Sequence, residues 1–204
     1  MSPCIFPEAT LWARSLPTES AVKTMKSNGI MVEEARAILG RTPTSLSGLL
    51  DGLPDALIKA NEGNDTWSPY DVIGHLIHAE RANWIYRARH ILAGETRPFE
   101  PLDSTGQFSK NEGKSLGELL AEFARLRREN LEALDGLNIS QADLGRHGLH
   151  PELGDVTLGQ LLATWVVHDL DHVAQIVRTL AKVYSEATGP WIKFLSILRD
   201  RQPQ

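Results

Sequence analysis

The chain has 204 residues, of which 42% are hydrophobic and 23% are charged, and this composition excludes collagen-like and intrinsically disordered proteins. Its 21 basic and 26 acidic side chains give a net charge of −5, so the basic surface that nucleic-acid phosphates require is not supplied. The longest uncharged run, from Val156 to His168, is shorter than the roughly 20 residues that span a bilayer. We therefore expect a protein that binds neither nucleic acid nor membrane.

The first thirty residues are the least periodic part of the chain, and they contain three prolines, Pro3, Pro7 and Pro17. The pattern predicts an N-terminal extension over residues 1–30, followed by one domain over residues 31–204. Cys4, the only cysteine, lies in this extension. A single cysteine excludes an internal disulfide and a cysteine-based zinc site, and it fits a reducing cytoplasm.

Helical patterns begin directly after the extension. A short helix is predicted over Glu33–Leu39, and Pro43 fits the first turn of a second segment that runs to about Leu53. Ser68 followed by Pro69 is a typical helix start, and the pattern continues from there as a single helix to about Ala93.

Two further helix starts carry the spacing of a capping box. Ser115 precedes Glu118 by three residues, and Thr157 precedes Gln160 in the same way. These signals predict helices that end near residues 136 and 186, and a short terminal helix follows over residues 191–199. No alternating apolar and polar run predicts a strand. The sequence therefore predicts an all-α fold, an antiparallel four-helix bundle with a short C-terminal helix.

Two histidines lie four residues apart on the last long helix. His168 and His172 fall within the apolar stripe that includes Trp165 and Ile176. Residues at this spacing share one helix face, with Cβ atoms about 5–6 Å apart, so both rings can bind one metal ion. The alternative interpretation is a pair of core histidines, each hydrogen-bonded to a carbonyl or a carboxylate. We favour metal binding because two unpaired buried imidazoles would be costly.

A third ligand is expected from a facing helix. On the predicted helix from Ser68 to Ala93, His75 flanks the apolar stripe, whereas His78 points toward the polar side. His90 follows Arg87 and Arg89 near a helix end, where a surface position is expected. The remaining candidates, His147 and His150, belong to the loop before the last long helix. His75 is the preferred ligand.

Two segments resemble the DinB/YfiT-like superfamily: WSPYDVIGHLIHAE over residues 67–80, and WVVHDLDHVAQ over residues 165–175. The resemblance implies a four-helix bundle in which His75, His168 and His172 bind a divalent metal, nickel or zinc in the first instance. It also implies that the loop containing His150 borders the metal cleft. Members of this superfamily include proteins described as metal-dependent hydrolases and transferases that use low-molecular-weight thiols. The sequence does not select between these two activities.

Polar residues near the expected ligands are candidates for orienting the imidazoles or lining the cleft. They are Glu80, Asp169, Asp171 and Gln175, and Gln175 lies nearest the ligand stripe. For the two aspartates, a solvated helix face is an equally good interpretation.

An ion held by three neutral ligands keeps an open position, at which it can lower the pKa of a bound water or a thiol. We therefore expect a metal-dependent enzyme with a small-molecule substrate, acting as a hydrolase or as a thiol S-transferase. The alternative is a non-catalytic bundle that binds a metal or a small ligand. A zincin-type protease is disfavoured, because Asp169 stands where that motif has its general-base glutamate. A spare apolar helix face and the resemblance both favour a homodimer.

Overall fold

The computed structural model describes residues 31–63, 66–101, 111 and 113–198. The predicted extension over residues 1–30, including Cys4, lies outside these ranges, so the predicted domain boundary stays a prediction.

Seven α-helices and one short hairpin make up the described part of the chain. The helices are α1 Val32–Leu39, α2 Thr42–Leu50, α3 Asp55–Ile58, α4 Pro69–Ala82, α5 Trp84–Ala93, α6 Leu116–Gly136 and α7 Leu158–Val183. The strands are β1 His147–His150 and β2 Gly154–Thr157, and 3-10 turns occupy Asp143–Gly145, Glu186–Phe194 and Ser196–Leu198.

The predicted bundle is confirmed, with α1–α2, α4–α5, α6 and α7 as its four helical segments. Helix α4 packs along α6, α1 and α5 pack against α7, and α2 packs against α6. The core between them is mostly aliphatic, and Ile73, Leu119, Phe123 and Ile176 are among its fully buried members. None of the helices in the described ranges has the length and hydrophobicity that a bilayer span needs.

The predicted capping boxes form and fix where the long helices begin. The N–H of Glu118 donates to Ser115 Oγ at 3.2 Å, and the N–H of Ser115 donates to the Glu118 carboxylate at 2.7 Å. Thr157 and Gln160 make the same reciprocal pair at the start of α7. The register of α7, which carries both predicted histidine ligands, is therefore set from its first turn.

The helix predicted from Ser68 to about Ala93 is two helices, so the prediction of one continuous helix is wrong. Asn83 has φ −110° and ψ −72°, away from the values near −63° and −42° of regular helix, and it separates α4 from α5. The apolar pattern continues across this single residue, so periodicity does not reveal the break.

The C-terminal segment differs from prediction as well. Helix α7 ends at Val183, and 3-10 turns replace the expected helix over the described part of residues 191–199. Gly189 has φ +50° and Pro190 lacks a backbone N–H, so a regular helix cannot continue there.

The segment with His147 and His150 is an antiparallel hairpin rather than a loop. His147 pairs with Thr157, and His150 pairs with Gly154. Strands of four residues are too short to show a convincing alternation. Gly148 allows β1 to lie against α5, because a Cβ there would come within 2.6 Å of Ile91 and 2.8 Å of Phe99.

Candidate metal centre

Three imidazoles meet where α4 faces α7. His75 comes from α4, His168 and His172 come from α7, and one ring nitrogen of each lies within 4.8 Å of the other two. The Nε2 atoms of His75 and His168 are 3.0 Å apart. Two nitrogens bound to one tetrahedral zinc at 2.0–2.1 Å are about 3.3 Å apart. The donor set and its spacing therefore fit a single divalent ion.

Aromatic rings surround the three-histidine cluster. The centroids of the three imidazoles are 4.5–5.1 Å apart. Trp67 lies 4.8 Å from His75, and Trp84 meets His168 edge-on at 5.2 Å. His75 and His168 are half-buried and His172 is buried, so the cluster is walled by apolar groups but keeps an accessible side.

His168 is held in its neutral form. Burial, together with the positive charges that His172, His75 and Arg127 carry or can carry, lowers the pKa of this imidazole to about 3. The neutral ring is the form that binds a metal ion, since the ligating nitrogen must be free of its proton.

Gln175 orients His172. The Nδ1 of His172 lies 2.9 Å from Gln175 Oε1, an atom that can only accept, so Nδ1 carries the proton and donates. The Nε2 of His172 is then the nitrogen with a free lone pair. Such a hydrogen bond to the second ring nitrogen is the usual companion of a metal-bound histidine.

Asp171, Glu80 and His150, also predicted near the metal, do not contact the three imidazoles through any hydrogen bond in the described ranges. Asp171 is on the exposed face of α7. Glu80 is buried and hydrogen-bonded to Arg127, Asn130 and Trp165, and none of the three imidazoles is its partner. His150 ends strand β1, where its Nδ1 accepts from two backbone N–H groups.

A buried ion-pair network lies next to the cluster and includes Asp169. The interpretation of Asp169 as part of a solvated helix face is therefore wrong. Asp169 is 0% exposed and accepts two hydrogen bonds from Arg127, at 2.6 and 2.9 Å. Arg127 also donates to Glu80 Oε1 at 2.8 Å and to the carbonyl of Leu39 at 2.8 Å. The Nε1 of Trp165 donates to the same Glu80 oxygen at 2.9 Å. Burial lowers the pKa of Arg127, but the hydrogen bonds and charges of the two carboxylates outweigh it and raise the pKa overall.

Arg127 was not singled out from the sequence, although a signal for it exists. It falls in the buried stripe of α6, between Phe123 and Leu131, each four residues away. A charged residue in such a stripe predicts a buried partner of opposite charge.

The expected exposure of His78 and His90 is also wrong, since both are buried. The Nε2 of His90 lies 2.8 Å from the carbonyl of Arg97, so the chain beyond α5 folds back over the ring. Neither ring nitrogen of His78 has a hydrogen-bond partner within the described ranges. The charged residues beside His90 in the sequence do not predict that the chain after α5 folds back over its ring.

The fold and the cluster together define a class, four-helix bundle proteins with one histidine on the second segment and an H-x-x-x-H pair on the fourth. The family model of the DinB superfamily matches residues 38–176, a range that contains all three histidines. The chain belongs to the DinB superfamily.

One solved structure extends the comparison. YfiT from Bacillus subtilis, described as "a probable metal-dependent hydrolase with an unusual four-helix bundle topology", superposes with a TM-score of 0.63 at 18% sequence identity. The similarity covers 83% of this chain and 91% of YfiT. It shows that the two proteins share a fold. None of the curated proteins compared with the chain matches it.

Proposed function

We propose that the protein is a metal-dependent enzyme of the hydrolase type, in which His75, His168 and His172 hold one divalent ion. The observation that carries the proposal is the convergence of three imidazole nitrogens within 4.8 Å. Two separate helices supply them. The description of YfiT as a probable metal-dependent hydrolase, on the same fold, supports the reaction class.

The residues around the cluster have distinct parts in this proposal. Gln175 keeps the proton of His172 on Nδ1, and burial keeps His168 neutral, so both imidazoles are ready to bind an ion. Trp67 and Trp84 restrict water near the rings. A divalent ion held by three neutral ligands supplies a Lewis acid that can activate water or a thiol. His75 and His168 are only half-buried, which supports access of a small-molecule substrate to the cluster.

The identity of the ion follows from the ligand type only in part. Imidazole nitrogens suit zinc, nickel, copper and iron, and the supply of metal in the cell helps to decide among them. We propose zinc or nickel. A low-molecular-weight thiol is the second candidate for the group activated there, and it would make the enzyme an S-transferase.

A turnover assay separates the enzyme from a non-catalytic binding module. The zinc-loaded and nickel-loaded protein is offered carboxylic esters, amides and thiol conjugates, with His168→Ala as the inactive variant and His147→Ala as the matched control. His147 is exposed and pairs with Asp155 on the hairpin, so its loss leaves the cluster intact. Turnover by wild type and His147→Ala, absent from His168→Ala, is the expected result. A bound ion without an open coordination position, and without turnover of any class, would favour the binding module.

A further inference from the structure

Arg87, one helical turn beyond Trp84 on α5, is a buried cation. It is 8% exposed, and its buried Nε has no hydrogen-bond partner among the described residues. Within the described ranges no carboxylate pairs with it. The guanidinium instead lies over the ring of Phe99, with Cζ 5.2 Å from the centroid. Burial lowers the pKa of Arg87. A buried charge is costly unless it is paired, and none of the described residues supplies a pairing anion, so this position is a candidate site for a bound anion.

His150 lies at the same aromatic ring. Phe99 is buried, and its centroid lies 6.2 Å from that of His150, with the two rings nearly perpendicular. The N–H groups of Glu152 and Leu153 both donate to His150 Nδ1 at 3.2 Å. Because Nδ1 accepts, the neutral ring carries its proton on Nε2. Burial and the charge of Arg87 lower the pKa of His150, which keeps the ring neutral and Nε2 a donor.

The acidic side chains that the structure describes near Arg87 do not pair with it. Glu95 pairs with Arg97 at 2.7 Å, and Glu152 lies on the exposed turn of the hairpin. Arg87 and His150 both contact the Phe99 ring, and the charge of Arg87 acts on His150, so a guanidinium fork and an imidazole N–H lie near each other at this ring. A planar fork with an added N–H donor suits a carboxylate or a phosphate.

The three-histidine cluster is close to this pair of donors. Trp84, three residues before Arg87, contacts His168, and its buried indole N–H has no partner in the part of the chain that the structure describes. Unsatisfied donors thus extend along α5 from the edge of the cluster to Arg87. A buried donor without a partner is rare in native proteins and calls for an explanation, such as a bound water, ion or ligand.

We propose that Arg87 and His150 bind the anionic group, a carboxylate or a phosphate, of a small molecule. This group is the acidic end of a substrate whose reacting bond lies at the three-histidine cluster. The second statement rests on the proposed function, whereas anion binding at Arg87 does not.

Thermal unfolding of the full chain tests anion binding without any turnover. Sodium acetate and sodium phosphate are each compared with sodium chloride at equal ionic strength, for wild type, Arg87→Met and Arg89→Gln. Arg89 is exposed on the same helix and is the matched control. The measurements are repeated with His168→Ala as the background, so that an anion bound to the metal ion does not contribute.

At ten times Kd, the anion should raise the Tm of wild type and of Arg89→Gln by about 3–6 °C. Arg87→Met should show no such rise, and Arg87→Lys, which keeps the charge but not the fork, should show part of it. Whichever of acetate and phosphate gives the larger shift identifies the ligand chemistry. The absence of a shift in wild type with both anions, or an equal shift in Arg87→Met, would overturn the proposal. The same holds if Arg87→Met melts well below wild type in chloride, because Arg87 would then be a structural residue.

Kinetics tests the link to the substrate. Two esters with the same reacting bond are compared, one with a terminal carboxylate and one with a neutral group in its place. Arg87→Met should raise KM at least tenfold for the acidic ester and leave the neutral ester unchanged. An equal effect on both esters would overturn the placement of the substrate's acidic end, while anion binding is decided by the Tm shifts alone.

Discussion

His168 and Asp169 are adjacent in sequence, yet their side chains belong to different sites on α7. The His168 Nε2 lies 3.0 Å from that of His75 in the three-histidine cluster, whereas Asp169 is fully buried against Arg127 at 2.6 Å. Helix α7 is therefore tied to α6 by an ion pair one residue from a predicted metal ligand. The same Arg127 reaches Glu80 on α4, the helix that carries His75.

Arg127→Met should destabilise the protein by about 3–5 kcal/mol, because it leaves the carboxylates of Glu80 and Asp169 buried without their cation. Urea unfolding measures the change. Arg125→Ala, on the same helix, removes an exposed pair with Glu129 and should cost no more than about 1 kcal/mol. Equal losses for the two variants would contradict the assigned role of Arg127.

Gln175→Leu should weaken zinc binding by about 10–100-fold, since the substitution removes the acceptor that keeps the His172 proton on Nδ1. Gln175→Glu should retain tight binding, because a carboxylate accepts the same proton. Competition with a chelator of known affinity gives both constants. If Gln175→Leu binds zinc as wild type does, the orienting role of Gln175 is wrong.

The pH dependence of stability in the metal-free protein should depend on His168. The unfolded chain takes up a proton on this residue near pH 6.5, but the folded protein does so only near its pKa of about 3. Unfolding is then favoured as the pH falls from 6.5 toward 3, and the contribution of His168 to stability is complete above pH 6.5. Chelator-treated wild type should lose up to about 1.4 kcal/mol more per pH unit in this range than His168→Asn. Parallel curves from urea unfolding at pH 7, 6, 5 and 4 would show that His168 is not held neutral.

The homodimer expected from the sequence stays a prediction. Val167, Leu170 and Val177 form an apolar strip on α7, with exposures of 62%, 50% and 36%. If this strip is the contact, Leu170→Glu should dissociate the dimer, while Val183→Glu at the end of the helix should not. Sedimentation equilibrium at micromolar concentration measures the mass, and a 22.6 kDa wild type would contradict the dimer.

Local signals explain what could be predicted from the sequence. A capping box such as Ser115 with Glu118 is complete within four residues, and the spacing of His168 and His172 places them on one face in any helix. The position of His75 beside an apolar stripe predicts it as the third ligand, and the structure brings it to the other two histidines.

The remaining features depend on groups that are distant in sequence. Arg127 lies 42 residues from Asp169 and 47 from Glu80, and no local pattern pairs them. The burial of His90 requires the return of the chain to the carbonyl of Arg97. The break at Asn83 leaves the apolar periodicity unchanged.

Zinc titration, with the number of ions bound per chain, tests the central claim that His75, His168 and His172 form one metal site. Wild type and the exposed control His147→Ala should each bind one ion per chain. Alanine at any one of the three should lower the affinity by more than the 10–100-fold that loss of an outer hydrogen-bond partner costs. A wild type that binds no zinc or nickel, or a His168→Ala variant that binds as wild type does, would contradict the claim and leave the three imidazoles as core residues.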